Sequence, residues 1–187
     1  GLGILVCSLA AFAFAKIHFP LKNILFVLVL ISFMIPFEAI AIPLYLVAEG
    51  FGILNTLYAL ILPGIANGLV IFLFRQFFMG IPNELLEAAF IDGASWIRIY
   101  WKLVLPLSKP ALVSASLLLF IFQWEAFLWP LIAIQEKNLR VIQVALAYMR
   151  TQYLMFWNQV FAGVVIGAIV PLILIFPLQG YYIRAIT

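Results

Sequence analysis

Long apolar runs constrain this chain more than any other feature. They cover residues 1–15, about 23–48, about 56–78, 110 to about 134 and about 160–182. A helix that crosses a bilayer needs about 20 apolar residues, with a range of roughly 17–25. Four of the runs reach that length. The first is short and reads as the remaining end of a longer one, because the chain begins at Gly1 with no methionine and no basic segment ahead of it. The runs are continuous rather than alternating, which fits helices and not a transmembrane barrel. Pro36 and Pro43 in the second run, and Pro171 and Pro177 in the fifth, predict kinks. Neighbouring helices can satisfy the carbonyls that a proline frees.

Composition excludes most other classes. Apolar residues make up 67% of the 187 and charged residues 9%, against about 25% charged in soluble domains. That polar cover is too thin for a soluble surface. A soluble enzyme, a disordered chain and a nucleic-acid binder are excluded, and the ten basic residues are scattered rather than clustered. Cys7 and His18 are the only residues of their types, so neither a disulfide framework nor a metal site is expected, and no cofactor. No Gly-Lys pair occurs, hence no Walker A loop, and neither H-E-x-x-H nor G-x-S-x-G is present. No catalytic residue is expected. A membrane enzyme would have to draw on Glu125, Glu38 and His18, and His18 belongs near the opposite face of the bilayer. A passive channel is the other rival class.

The basic residues set orientation through the positive-inside rule. Lys16 and Lys22 lie in the segment 16–22, Arg75, Arg98, Lys102 and Lys109 in the segment 75–109, and Arg184 in the tail. The alternate segments 49–56 and 135–159 hold only Lys137, Arg140 and Arg150. Seven basic residues against three place the first set in the cytoplasm. Gly1 is then outside and Thr187 inside, and one more span upstream would make six.

The segment 79–109 is long and patterned for a loop between spans. Asn83 is the expected N-cap of a short helix over 84–92, with Glu84 in its first turn and Gly93 ending it. Ser95 is the expected cap of a second helix over 96–105, stopped by Pro106. Two readings are open on physics alone. The pair can lie on the lipid surface, which suits the basic and aromatic residues at 96–102, or it can dock a soluble partner.

The run Glu87-Ala88-Ala89-Phe90-Ile91-Asp92-Gly93, followed after nine residues by Leu103-Val104-Leu105-Pro106, resembles the EAA motif of ABC importer permeases. The motif reads EAA, three residues, Gly, nine residues, Ile-x-Leu-Pro, and Leu103 in place of Ile is its one departure. Ile81-Pro82-Asn83-Glu84-Leu85, Ile91-Asp92-Gly93-Ala94-Ser95, Pro36 with Pro43-Leu44-Tyr45, and the segment 124–130 are similar to the carbohydrate-uptake, maltose-type branch. The resemblance covers nearly the whole chain. It implies an all-α polytopic bundle over 1–187, with five spans of six present and a cytoplasmic coupling loop at about 79–109. It also implies a second permease subunit, two ATP-binding subunits beneath, an extracytoplasmic solute-binding protein and a lipid membrane of the bacterial inner-membrane type.

On that resemblance Glu87, Ala88, Ala89, Asp92, Gly93, Leu105 and Pro106 are the ATPase-coupling residues. Local chemistry agrees. Ala88 and Ala89 offer a small face to another backbone, Glu87 can accept a hydrogen bond, and Gly93 permits a sharp turn. The expected cargo is a sugar or related polyol, with another small solute such as glycerol phosphate as the alternative.

Polar groups inside spans are expensive and mark pathways by default. Gln123, Trp124, Glu125, Asn67 and Glu38 are the candidates. Gln123 and Glu125 are two residues apart, about 200° around a helix, so they cannot share a face. The family commonly carries Asn after the Trp where this chain has Glu125. For Asn67 an interhelical hydrogen bond is the competing role, and for Glu38 and Glu125 a carboxyl at the outer water interface. The spacings Gly64/Gly68 and Gly163/Gly167 each predict two small residues on one helix face. The stretch 138–157 is expected to lie on the outer face, as a binding-protein contact or a plain connector.

Overall fold

The computed structural model describes residues 1–151 and 157–186, and contains no strand among them. In chain order the elements are α1 (Leu2–Lys16), α2 (Lys22–Met34), α3 (Phe37–Gly50), α4 (Leu57–Ile61), α5 (Gly68–Met79), α6 (Asn83–Ile91) and α7 (Trp96–Ile99). They continue with α8 (Leu105–Leu107), α9 (Lys109–Trp124), α10 (Leu128–Ala133), α11 (Ile142–Thr151) and α12 (Trp157–Ile186). A 3-10 turn, Leu62–Gly64, follows α4, and a π-helical stretch, Tyr100–Val104, joins α7 to α8. The segment 152–156, part of the stretch expected on the outer face, lies outside the described residues, as does Thr187, the expected inside end.

The all-helical expectation holds, and the long runs are more broken than sequence suggests. The second run is two helices, because Pro36 lacks an N–H and steers Ile35 away from helical backbone. The third run breaks between Gly64 and Gly68. Asn67 there takes extended backbone, and its side chain accepts the N–H of Val70 at 3.1 Å. Gly64 and Gly68 therefore do not share a helix face, contrary to expectation. The fourth run stops at Trp124 and resumes at Leu128. Pro130 fits the gap: its ring disfavours a helical carbonyl four residues earlier, and it sits in the first turn of α10, where its missing N–H costs no helical bond. The fifth run goes the other way, with α12 continuing through both Pro171 and Pro177.

Among the described residues, 157–177 form the one helix long and apolar enough to cross a membrane unaided. Three interrupted pairs reach the same standard together: α2 with α3, the 57–64 helix with α5, and 96–107 with α9. α1 is a shorter apolar helix.

The chain forms two compact units. The first comprises residues 1–34 and 65–119 with the end of α12. Its core packs Cys7, Ala11 and Phe12 of α1 with Val70, Phe74 and Phe78 of α5 and with Ile99, Tyr100 and Val104. The ring of Phe12 meets Phe78 edge-on at 6.5 Å and Tyr100 at 5.4 Å. Gly68 lets α5 approach α2, since a Cβ there would come within 2.7 Å of the Val29 carbonyl.

The second unit comprises residues 35–64 and 120–179. Its core holds Ala48, Ala59, Trp129, Ala133 and Ile134. The Trp129 indole donates to the Ala59 carbonyl at 2.8 Å and meets Phe37 edge-on at 6.3 Å. Asn55, in left-handed backbone at φ 56°, accepts the N–H groups of Gln135 and Glu136 on its side chain. Gly163 and Gly167 do lie on one face of α12, and that face packs against Leu146 of α11. Leucine, isoleucine and phenylalanine elsewhere on α12 are exposed, among them Phe161, Ile173 and Phe176, as expected of a lipid-facing or partner-facing surface.

Candidate functional site: an exposed helix on a clamped base

The patterned loop begins where α5 ends at Gly80. Ile81 is buried, and Pro82 sets extended backbone before α6. Lys16, the last residue of α1, holds this entry. Its Nζ donates to the Ile81 carbonyl at 2.6 Å and to Asn83 Oδ1 at 2.8 Å. Asn83 is therefore the first residue of α6 and an acceptor for Lys16, and Pro82 takes the cap position expected of Asn83. Lys16 is only 8% exposed. Burial pushes its ammonium below the ordinary lysine range, Glu84 pulls it back, and Lys22 adds to the depression.

α6 is amphipathic in a way that serves mounting and display together. Leu86 is buried and Ala89 is half-buried against the core. Glu84, Glu87, Ala88 and Asp92 face outward, and Ile91 is 87% exposed. The turn after α6 matches expectation. Gly93 sits at φ +74°, and the Gly93 and Ala94 N–H groups return to the Phe90 and Ala89 carbonyls, both at 2.9 Å. This is the Schellman arrangement, which glycine makes without strain. Phe90 then meets Trp96 edge-on at 4.6 Å, and Trp96 meets Phe12 at 5.9 Å.

Ser95 caps the next helix as expected, its Oγ accepting the Arg98 N–H at 3.4 Å. Ile97 is 73% exposed beside it. The helical path passes Pro106 and ends at Ser108, because proline is accommodated in the first turn of α8. Tyr100 is buried, and its hydroxyl lies 2.7 Å from Ser8 Oγ in α1. Burial raises the Tyr100 phenol above its usual value, and the Ser8 bond offsets part of that. The α6–α8 segment is thus tied to α1 at Lys16, Phe12 and Ser8.

The seven candidate coupling residues do not share one surface. Glu87, Ala88, Asp92, Gly93 and Pro106 are exposed, whereas Ala89 and Leu105 are half-buried against the core. The small face anticipated at Ala88 and Ala89 is therefore split, with Ala88 available and Ala89 spent on mounting. Sequence reasoning missed the outward Ile91 and Ile97, which simply read as apolar. It also missed the clamps, because Lys16 read only as a topological charge and nothing local singles out Ser8.

The candidate pathway residues are also dispersed. Asn67, in the first unit, caps α5, and its N–H meets Cys7 Sγ at 3.4 Å. The other four lie in the second unit. The Trp124 indole donates to the Gly167 carbonyl at 3.1 Å and stacks on Phe120 at 5.4 Å. Gln123 is exposed, with its amide against Gly64, where a Cβ would overlap it. Glu125 is exposed in the break between α9 and α10, so the helical angle expected between it and Gln123 does not apply. Glu38 is exposed in the first turn of α3. Among the described residues no cluster of metal-ligating side chains occurs.

A profile of the family described as "Binding-protein-dependent transport system inner membrane component" matches residues 3–186. The chain belongs to that family. Relatives from the family's transport systems agree. An sn-glycerol-3-phosphate transport system permease protein of Yersinia pestis is 35% identical over 190 residues, covering 98% of this chain and 66% of the relative. An arabinooligosaccharides transport system permease protein of Halalkalibacterium halodurans is 36% identical over 187 residues, covering 100% of this chain and 67% of the relative. The chain thus spans about two thirds of the length of these permeases. Among solved structures, one described as a bacterial ABC transporter involved in the import of the acidic polysaccharide alginate superposes with a TM-score of 0.83. It is 23% identical, with 97% of this chain and 69% of that one covered. The fold is that of a helical importer permease, and the family is one of inner-membrane components.

Proposed function

We propose that this chain is a multi-pass permease subunit of an ATP-driven, binding-protein-dependent importer, and that it carries a sugar or related polyol inward. The observation that carries the reading is α6. It shows Glu87, Ala88 and Ile91 outward, is turned by Gly93 and is clamped at its base by Lys16. An exposed isoleucine flanked by carboxylates suits a protein cleft better than an anionic lipid surface, where basic residues would be favoured. A passive channel has no use for such a helix. ATP hydrolysis belongs to two separate ATP-binding subunits beneath, and a second permease and an extracytoplasmic binding protein complete the complex.

Contacts between loops support the proposed topology. Lys16 of the inside segment 16–22 bonds Ile81 and Asn83 of the inside segment 79–109. Asn55 of the outside segment 49–56 bonds Gln135 and Glu136 of the outside segment 135–159. Each expected side of the membrane is fastened to itself.

Glycerol phosphate is a second reading, favoured by the relatives whose systems are named for it. The candidate pathway argues for a neutral cargo. Residues 120–134 hold no Lys or Arg and present the exposed carboxylate Glu125, which repels a phosphate. The test is uptake into proteoliposomes holding the assembled complex and its binding protein. ATP-dependent accumulation of a neutral saccharide or polyol supports the reading. Accumulation of glycerol phosphate alone replaces the cargo, and flux without ATP overturns the importer role.

A further inference from the structure

We propose that the cleft where α1, α2 and α5 meet holds the headgroup of an anionic phospholipid from the cytoplasmic leaflet. The cleft has a volume of about 690 Å³ and lies wholly within the first unit. Its polar lining is Lys22, Arg75, His18 and Asn23, and its apolar lining includes Leu21, Ile24 and Met79. It has no carboxylate in its lining.

Both cations are held in place. Lys22 Nζ donates to the Ile17 carbonyl at 2.9 Å and the Ala15 carbonyl at 3.4 Å, at the end of α1. Arg75 Nε donates to the Phe14 carbonyl at 3.2 Å, and the guanidinium lies 4.1 Å from the centre of the Phe26 ring. These contacts use one edge and one face of Arg75. Its two terminal amino groups make no hydrogen bond among the described residues and remain for a ligand. Burial, and then the charge of Arg75, lower the Lys22 ammonium below the ordinary lysine range. An anion between the two groups would relieve that repulsion. The cleft also takes in Lys22, Asn23 and Ile24, the first turn of α2, whose leading N–H groups have no partner within the helix.

The rim points to a lipid rather than a free ion. Leu21 is exposed although it sits at φ 60°, a backbone region that disfavours leucine, and Ile24 and Met79 are exposed beside it. An apolar rim around a pair of cations matches a phosphodiester with acyl chains attached. Basic pockets between helices on the cytoplasmic side suit anionic headgroups. The inference rests on the proposed topology, which places 16–22 inside.

The test uses the assembled complex, purified in mild detergent, with retained lipid counted by native mass spectrometry after incubation with phosphatidylglycerol or phosphatidylcholine. Wild type is expected to retain phosphatidylglycerol selectively. The double variant Lys22→Gln/Arg75→Gln should lose that retention by roughly tenfold or more, as expected for two cations at an anionic surface, and Lys22→Arg/Arg75→Lys should keep it. Photoactivatable phosphatidylglycerol on the wild-type complex is expected to label Leu21, Ile24 or Met79, and this arm needs no variant to fold. Equal retention of both lipids, labelling confined to other segments, or displacement of the lipid by millimolar inorganic phosphate overturns the lipid site. ATP-driven uptake is read after the same preparations are reconstituted into proteoliposomes. Non-selective retention with normal uptake overturns the lipid site and leaves the permease role standing.

Discussion

Lys16 and Asn83, at the end of α1 and the start of α6, are joined by a 2.8 Å hydrogen bond from Nζ to Oδ1. The same ammonium holds the Ile81 carbonyl at 2.6 Å. The apolar helix α1 thereby fixes where the exposed helix begins. The contact of Tyr100 with Ser8 at 2.7 Å is a second tie between α1 and the segment that follows α6.

Lys16→Met is expected to remove the clamp and leave the buried Ile81 carbonyl without its donor, at a cost of about 1–3 kcal/mol. Thermal melting of the assembled complex should fall, and uptake per complex should fall with it. Asn83→Ala should be milder, since the bond to Ile81 survives. Wild-type melting and uptake in Lys16→Met would contradict a clamping role.

Gly93→Val places a β-branched residue at φ +74°, a region that costs ordinary residues roughly 1–2 kcal/mol and β-branched ones more. No atom crowds the site, so the strain is purely conformational. The permease should still reach the membrane while α6 is misdirected. Uptake should drop at unchanged membrane abundance, measured by transport assay and immunoblot.

The helical class, the turn at Gly93 and the cap at Ser95 were legible because each depends on local chemistry: apolar run length, left-handed backbone and a hydroxyl at a helix start. The breaks at Asn67 and after Trp124 were harder to see. Each depends on a side chain or ring acting three or four residues away, within a run whose hydropathy never falls. The clamp of Lys16 on Asn83 was invisible, since it joins residues 67 apart and follows only from the packing of α1 beside α5. The split between Ala88 and Ala89 has the same origin: nothing local distinguishes two adjacent alanines until Leu86 is seen to fix which face is buried.

Tyr100 supplies a pH signature. Its phenol is raised in the folded protein above the usual 10.0. The fold therefore holds the proton more tightly than the unfolded chain. The linked stability is fully present below pH 10, and it is lost as pH rises from there through the folded value. Tyr100→Phe removes this component, so its alkaline melting curve should decline less steeply than wild type above pH 10. Parallel curves would contradict the assignment.

Glu125 separates transport from assembly. Glu125→Gln keeps an acceptor and adds donors, so uptake should persist with altered affinity for cargo. Glu125→Leu should abolish uptake at a normal level of assembled complex. A reduced level of complex with normal uptake per complex would instead make Glu125 a structural group at the outer interface. Solute uptake normalised to purified complex reads the difference.

Docking of α6 against the ATP-binding subunit is read at Ile91, the most exposed large apolar residue of the helix. Cys7 is buried, so within residues 1–187 a thiol introduced by Ile91→Cys is the one that brief maleimide treatment reaches, and its labelling is read on the peptide that contains it. Labelling at position 91 is expected to be rapid in the permease pair without its ATP-binding subunits, and strongly suppressed once those subunits are bound. Equal labelling in the two preparations would contradict it.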